Sequence, residues 1–167
     1  MDFSLNMEQI SKLLDGKVNI ISYDKVRDYK TIEDLLGVHK KCVILYLTSP
    51  TYGHYVCVWE YKGSIIFFDS YGILIDNELN FVPNHLKKQL GSDHRYLTEL
   101  MYNSKKPIEY NQYQLQKKGN HITTCGRWCV CRLKNYTIST DEFASIFNAV
   151  KREIPLDKLI VKLVPLN

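Results

Sequence analysis

The sequence has no apolar run long enough to cross a membrane. Its longest apolar stretches, such as residues 43–47 and 65–68, hold only four or five residues, whereas a membrane-spanning helix needs roughly 20. The first residues also lack a basic stretch followed by an apolar one, which is the usual pattern of a secretion signal. These absences predict an intracellular protein that is not secreted and that has no membrane partner.

The sequence also lacks internal repeats, low-complexity tracts and linkers rich in proline, glycine or serine, which are the usual marks of a domain boundary. Its 167 residues fit one compact domain with a sizeable core. Apolar residues make up 45% of the chain and charged residues 24%, which is ordinary for a folded protein and excludes extensive disorder. We therefore predict a single domain over residues 1–167.

Cysteine is too unevenly placed for a disulfide framework. The count of five is odd, and three of the five crowd together at Cys125, Cys129 and Cys131, so free thiols in a reducing compartment are expected. The net charge is only +4, and the lysines are scattered as pairs rather than interleaved with aromatic residues. This charge permits weak, non-specific DNA contact but favours a solvated surface over a dedicated nucleic-acid groove.

Three segments in the middle of the chain are rich in β-branched and aromatic residues, and turn residues separate them, a pattern that predicts strands. The three segments are 43–47, 55–61 and 64–69. Lys62 and Gly63 form a tight connection between the last two, which should therefore pair as an antiparallel hairpin. A chain that enters this hairpin just after His54 and leaves it at Asp69 returns to the end of the hairpin where it began. The side chains of His54 and Asp69 should therefore lie near each other.

Helices are predicted on both sides of these strands, where apolar residues recur at helical spacing behind capping residues. They should begin after Asn6, Thr31, Asn84, Asp93 and Ser139. A largely buried helix should begin near Cys125 after a polar loop over residues 111–124, with Thr123 or Thr124 as its cap. The apolar segment 159–164 is predicted as an edge or packing strand. The predicted fold class is α/β (α+β), with a mixed, mainly antiparallel central sheet flanked by helices.

Cys125 is the candidate nucleophile. A thiol attacks as its thiolate, and the N-terminus of a helix favours that negative charge. Cys125 lies where the buried helix is predicted to begin, and Gly126 beside it would let a substrate backbone approach closely. The alternative is a buried structural cysteine, which is the commoner fate of a free cysteine taken alone. Cys129 and Cys131 are predicted to be packing residues.

A zinc site built from His121, Cys125, Cys129 and Cys131 is a weaker alternative. The spacing of these residues matches no usual pattern of paired ligands, and a helix would spread the thiols over different faces. We therefore predict no metal and no cofactor.

His54 and Asp69 are the candidate base and orienting acid. Taken singly, a histidine at a strand end is more often structural, and turn chemistry alone explains an aspartate at position 69. Together with Cys125 they suggest a catalytic triad, because each of the three residues is predicted to lie where a nucleophile, its base and the orienting acid would have to lie.

These positions resemble the adenovirus-type maturation proteases and the related SUMO-specific proteases. The resemblance is carried by a glutamine upstream of the cysteine and by three segments, Gly53-His54-Tyr55, Phe67-Phe68-Asp69-Ser70-Tyr71-Gly72 and Thr124-Cys125-Gly126-Arg127-Trp128-Cys129. The order histidine, acid, glutamine, cysteine is its distinctive part. The resemblance implies a thiol hydrolase in which the helix that bears the nucleophile packs against the sheet that bears the histidine and the acid.

The resemblance also implies a role for each residue. His54 would pair with Cys125 and later protonate the leaving amine, while Asp69 would hold the imidazole in its tautomer. Gln116 and the backbone N–H of Cys125 would line the oxyanion hole. Gln112 and Gln114 remain competing candidates for the glutamine.

Within this resemblance, a compact chain favours the viral branch. The implied function is a maturation protease that cleaves capsid or core precursor proteins near small residues such as Gly or Ala, in the virion and the host cell cytoplasm. A SUMO or ubiquitin-like deconjugating protease is the alternative, and an inactive protease-like binding module or a nucleic-acid-associated protein is the alternative of another class. Adenoviral relatives use DNA and a peptide as activating partners, so an activating peptide joins weak DNA contact among the implied partners.

Overall fold

The computed structural model describes residues 3–119 and 122–167. In chain order its elements are α1 (Met7–Leu13), β1 (Asn19–Ser22), a 3-10 helix (Tyr23–Asp28), α2 (Ile32–Leu36), β2 (Lys41–Leu47), β3 (Gly53–Tyr61), β4 (Ser64–Phe68), a second 3-10 helix (Asn77–Phe81), α3 (Asn84–Lys87), α4 (Tyr96–Asn103), β5 (Ile108–Tyr110), α5 (Cys125–Lys134), α6 (Thr140–Asn148) and α7 (Leu156–Leu163). Among the described residues, no helix combines the length and the apolar character that a membrane span requires.

The strands form one five-stranded sheet in the order β1-β2-β3-β4-β5. The central strands β2, β3 and β4 pair antiparallel, as predicted, while β1 and β5 join the two edges in parallel. The predicted fold class, a mixed sheet flanked by helices, is confirmed. The sheet is antiparallel only at its centre. The sequence analysis did not predict the two edge strands that pair in parallel. Both edge strands are too short, at four and three residues, to leave a readable alternation in the sequence.

Helices cover both faces of the sheet and enclose two hydrophobic cores. Side chains alternate across a strand, so Tyr55, Cys57 and Trp59 of β3 face the core that contains α5. Val56 and Val58 face the other core, which contains the first 3-10 helix, α2 and α4. Burial on both faces explains why β3 is apolar almost throughout instead of alternating with polar residues.

Helix α5 is the central helix of the first core and packs against β3. Trp128 and Cys129 are fully buried there. Arg127 is also buried: its guanidinium donates hydrogen bonds to the carbonyl oxygens of Phe3, at 2.9 Å, and of Val164. The helix therefore fastens the N-terminal and C-terminal segments to the sheet at the end where Cys125 lies.

Three predicted N-caps are present. Asn6 and Gln9 form a reciprocal capping box on α1, and the Thr31 and Ser139 side chains accept backbone N–H groups of α2 and α6. The cap predicted for α5 is wrong. Thr124 occupies the capping position, but its hydroxyl donates to Asp157 Oδ1 at 2.5 Å and makes no cap bond.

The strand predicted over residues 159–164 is wrong, because this segment belongs to helix α7. Leu156, Leu159, Ile160 and Leu163 recur at the i, i+3, i+4, i+7 spacing of an amphipathic helix, and Ile160 is fully buried against the first core. The β-branched pair at 160–161 favours a strand locally, and packing against α5 outweighs that preference.

Candidate active site

His54 and Asp69 lie at the same end of two neighbouring strands: His54 is at the start of β3, and Asp69 comes just after the end of β4. The hairpin between them turns at Lys62 and Gly63, which both have positive φ angles of 49° and 78°, as the tight turns that join antiparallel strands require. The turn sets the register, and the return of the chain brings His54 Nε2 to 2.8 Å from Asp69 Oδ1. Both side chains are buried.

Backbone contacts fix the Asp69 carboxylate and the loop that follows it. The backbone N–H of Tyr71 donates to Asp69 Oδ1 at 2.8 Å, so one oxygen accepts from both the imidazole and the main chain. Asn111 Nδ2 donates to the Asp69 carbonyl at 2.7 Å. The other carboxylate oxygen, Oδ2, is buried and has no hydrogen-bond partner in the described part of the chain.

The imidazole of His54 is held on its flat face as well as at its edge. The Tyr71 ring stacks on it, with centroids 4.2 Å apart and planes 9° from parallel. Because Nε2 is engaged by Asp69, Nδ1 remains for the thiol of Cys125, which lies within hydrogen-bonding reach of the ring. Burial lowers the pKa of His54, but the charge and hydrogen bond of Asp69 and those of Cys125 outweigh it and raise this pKa well above its usual range. The site therefore favours an imidazolium.

Cys125 is the first residue of α5 and is 7% exposed, on the wall of a cleft that also contains His54. The N-terminal end of a helix favours a negatively charged sulfur. An imidazolium beside a sulfur at this position can form the ion pair that makes a thiol nucleophilic at neutral pH.

Gln116 is buried beside the other three residues and lines the same cleft. Its Oε1 accepts from the Ser70 hydroxyl at 2.6 Å, and its Nε2 donates to the carbonyl of Ile122 at 3.1 Å. A side-chain amide has two N–H donors, so one remains for a ligand in the cleft. Gln112 and Gln114 are exposed and are not among the residues that line the cleft.

The loop that carries Gln116 passes unusually close to the turn after Asp69. Gly72 has a positive φ of 75°, and a side-chain carbon there would come within 2.8 Å of the Tyr113 backbone. The backbone N–H groups of Leu115 and Gln116 both donate to the Ser70 carbonyl at 2.9 Å. Glycine at position 72 therefore allows the two loops to pack together, which positions the glutamine opposite the acid.

The cleft has a volume of about 850 Å³. Its walls combine polar groups with apolar and aromatic side chains, and among the latter are Leu5, Leu47, Pro50, Tyr52, Tyr71 and Ile122. Gly126 does not open this cleft, contrary to the expectation from the sequence. It is buried, and a side-chain carbon there would meet Leu5, at 3.2 Å, and Tyr55. Gly126 allows α5 to pack closely against the protein's own N-terminal segment.

The zinc alternative would require residues that the structure separates or does not describe. His121 lies outside the described residues. Cys129 is fully buried beside Cys57, whereas Cys131 is partly exposed elsewhere on α5. Burial raises the pKa of both thiols, which opposes the thiolate form that zinc binds.

Sequence reasoning missed several side chains that complete the site. They are Ser70, Tyr71, Asn111 and Glu78. Ser70 and Tyr71 belong to the turn after Asp69, and the need for a turn explains both residues without a role in the site. Asn111 and Glu78 are brought to the site by packing between distant segments. Glu78 places a carboxylate oxygen within 4.8 Å of ligand-type atoms of both His54 and Asp69.

Comparisons with known proteins give one sequence relative. No family model matches the chain. The uncharacterized protein V9 of Sputnik virophage is 38% identical over 131 residues, which cover 78% of this chain and 75% of that protein.

Among solved structures, the chain is similar to the ASFV pS273R protease, with 14% identity and a TM-score of 0.49 over 98% of this chain and 69% of that one. It is also similar to ChlaDub1 from Chlamydia trachomatis, with 16% identity and a TM-score of 0.31 over 90% and 79% of the two chains. Similarity at this level assigns no activity, so the function must be argued from the site itself. The sequence match, in contrast, shows kinship: this chain belongs to the family of the Sputnik virophage protein V9.

Proposed function

We propose that the chain is a cysteine protease in which Cys125 is the nucleophile, His54 the base and Asp69 the residue that orients the base. The observation that carries the proposal is the buried contact of 2.8 Å between His54 and Asp69, together with the interaction between the Cys125 thiol and the same imidazole. A histidine buried between a carboxylate and a thiol at a helix start has the geometry of nucleophilic catalysis.

The reaction follows from these positions. The Cys125 thiolate attacks the carbonyl carbon of a peptide bond, forming a C–S bond and placing negative charge on the carbonyl oxygen. Gln116 Nε2 and the backbone N–H of Cys125 donate to that oxygen. The His54 imidazolium then gives its proton to the leaving amine as the C–N bond breaks. Neutral His54 next takes a proton from water, which attacks the thioester, and the thiolate is released.

Asp69 contributes by holding His54 in one tautomer. A carboxylate on Nε2 fixes the N–H at that nitrogen and leaves Nδ1 to exchange its proton with the sulfur. The carboxylate also stabilises the imidazolium in a site from which water is largely excluded, where the attraction between charges is stronger than in bulk water.

The substrate is a polypeptide, and the cleft favours small residues next to the scissile bond. Tyr52, Tyr71 and Pro50 line the cleft together with His54, and we expect these bulky side chains to favour residues such as Gly or Ala. Kinship with a virophage protein supports a viral role, and we propose maturation of capsid or core precursors in the virion and the host cell cytoplasm. Deconjugation of a ubiquitin-like protein after a small-residue tail is the second candidate. Weak DNA contact, an activating peptide and a single domain over 1–167 stay predictions from the sequence.

A peptide library with small residues at the cleavage site tests the proposal. The purified chain should cleave a subset of the library, and Cys125→Ala should lower the rate by about 10,000-fold or more. Cys131→Ala is the matched control, since Cys131 is on the same helix, and it should retain wild-type cleavage. Cleavage that survives Cys125→Ala would overturn the role of Cys125, and a wild-type protein that cleaves no member of the library would favour a protein-binding module.

A further inference from the structure

A second carboxyl group is buried behind the His54–Asp69 pair. Glu78 lies on the second 3-10 helix and is only 4% exposed. One oxygen of Glu78, one of Asp69 and a ring nitrogen of His54 all lie within 4.8 Å of one another. In the described part of the chain, Asp69 Oδ2 and Glu78 Oε1 are each buried without a hydrogen-bond partner. Buried acceptors without a donor are costly, so a proton on one of the two carboxyl groups would supply the donor that is missing.

The position of Glu78 is set by a rigid anchor two residues earlier. Asp76 Oδ1 accepts from the Tyr46 hydroxyl at 2.7 Å, and its Oδ2 accepts from the backbone N–H and the hydroxyl of Thr98 at 2.8 and 2.7 Å. Tyr46 is the residue of β2 that lies opposite His54 in the sheet register. The same strand pair therefore carries the imidazole and holds the segment that brings Glu78 to it.

Burial favours the protonated form of Glu78. Burial raises the pKa of Glu78, His54 and Lys118 lower it, Asp69 raises it further, and the result is a pKa of about 7. The Tyr71 ring is a further titratable neighbour among the described residues, and it lies against the His54 face. Two carboxyl groups this close do not both ionise readily, and a protonated carboxyl supplies the donor that both unpartnered oxygens lack.

We propose that Glu78 is a positioning residue whose protonated carboxyl group donates a hydrogen bond to Asp69 Oδ2, directly or through one water molecule. The inference rests on the proposed function, because it assigns Glu78 a role in orienting the acid that orients His54. Asp69 Oδ1 is fixed by His54 and by the Tyr71 backbone, and the hydrogen bond from Glu78 fixes the other oxygen. Ionisation of Glu78 replaces this donor with a negative charge, which repels the Asp69 carboxylate and disturbs its alignment with the imidazole.

The rate at which iodoacetamide alkylates Cys125, followed by mass spectrometry from pH 5.5 to 9, tests this role without a known substrate. The wild-type profile should carry an inflection near pH 7 that Glu78→Gln lacks, because an amide donates a hydrogen bond but does not titrate. At pH 6.5 Glu78→Gln should stay within about 3-fold of wild type, whereas Glu78→Ala should fall about 10-fold as alignment is lost. Glu99→Gln, which alters an exposed carboxylate that also contacts a histidine, should follow wild type throughout.

Either of two results would overturn the role of Glu78: profiles of wild type and Glu78→Gln that superimpose, or wild-type reactivity in Glu78→Ala. Circular dichroism checks that each variant folds, and if Glu78→Ala does not, the comparison with Glu78→Gln decides alone. If Cys125 in the wild type reacts no faster than Cys131, the proposed function itself fails. A carbon-13 NMR titration of Glu78 then decides whether the carboxyl carries the proton, and titration below about pH 5, the range of an ordinary carboxyl, rejects it.

Discussion

Two histidine–carboxylate contacts in this protein have the same length and very different surroundings. His54 Nε2 lies 2.8 Å from Asp69, and His94 Nε2 lies 2.8 Å from Glu99. The side chains of the first pair are 4% and 0% exposed, and those of the second are 56% and 59% exposed. Each histidine even has a tyrosine partner, since His54 stacks on Tyr71 and His94 makes an edge contact with Tyr96. A short contact alone therefore does not identify a catalytic pair.

Burial and backbone support make the difference between the two pairs. His54 and Asp69 are fixed by neighbouring strands and by the loop around Tyr71, whereas His94 and Glu99 are five residues apart at the start of α4. Water screens the exposed pair, so its attraction is weak, while the buried pair interacts in a less polar medium. In the described part of the chain, His54 interacts with a thiol, that of Cys125, whereas the contacts of His94 are with Glu99 and Tyr96.

Removing each histidine in turn should give the largest contrast. His54→Ala should lower peptide cleavage by about 1,000-fold or more, because the thiol loses the base that activates it. His94→Ala should leave cleavage unchanged, because its pair is exposed and has no thiol partner among its described contacts. The kcat/KM values of the two variants measure this, and equal losses in both would remove the distinction between the pairs.

Removing the charge of each carboxylate should give the next contrast. Asp69→Asn keeps the shape of the side chain but no longer stabilises the imidazolium, and an amide can present its N–H to His54 and select the wrong tautomer. We expect kcat to fall by roughly 100-fold with little change in KM. Glu99→Gln is the control and should retain wild-type kcat. A loss of substrate binding alone, seen as a change in KM with kcat preserved, would argue that Asp69 only shapes the cleft.

The pH dependence of stability should separate the buried carboxyl behind His54 from the exposed one beside His94. The pKa of Glu78 is raised to about 7, above the value of about 4.3 in an unfolded chain. The stability that this group contributes is complete below pH 4.3 and is lost as the pH rises to about 7, with a total of roughly 4 kcal/mol, since one pKa unit corresponds to about 1.4 kcal/mol. Urea unfolding at pH 5 and pH 8 should therefore show a larger loss in wild type than in Glu78→Gln.

Two comparisons control for the titration of other groups. The raised pKa of His54 also lowers stability at alkaline pH, but it does so in both proteins, so their difference isolates Glu78. Glu99→Gln should lose as much stability as wild type. Equal losses in wild type and Glu78→Gln would show that Glu78 is ionised in the folded protein across this range.

The smallest effect belongs to the exposed pair itself. Glu99→Gln should change the free energy of unfolding by less than about 0.5 kcal/mol, and 1 M NaCl should abolish even that difference. Urea unfolding with and without salt measures it. A loss of several kcal/mol that survives high salt would mean that the surface contact is far stronger than its exposure indicates.

The sequence was sufficient where local patterns dominate. The strands β2, β3 and β4 consist of runs of β-branched and aromatic residues. The tight turn at Lys62 and Gly63 alone implies that His54 and Asp69 lie at the same end of the hairpin. The start of a helix at Cys125 is likewise a local signal. These features predict most of the central sheet and the relative position of the first two site residues.

Long-range packing decides the features that the sequence did not reveal. The segment 156–163 carries both a strand-like pair and a helical stripe, and only contact with α5 selects the helix. Glu78 lies on a short 3-10 helix, and it reaches the site because Asp76 is bound by Tyr46 and Thr98, which are distant in the chain. No local pattern contains that information.

Competition between two thiols for a limiting amount of iodoacetamide tests the central claim most directly. Cys131 is more exposed than Cys125, but burial raises the pKa of Cys131 to about 11, and Cys125 has an imidazolium beside it. At pH 7 we predict that Cys125 is alkylated at least about 10-fold faster than Cys131, and that His54→Ala removes this advantage. Faster labelling of Cys131, or an unchanged ratio in His54→Ala, would contradict the account.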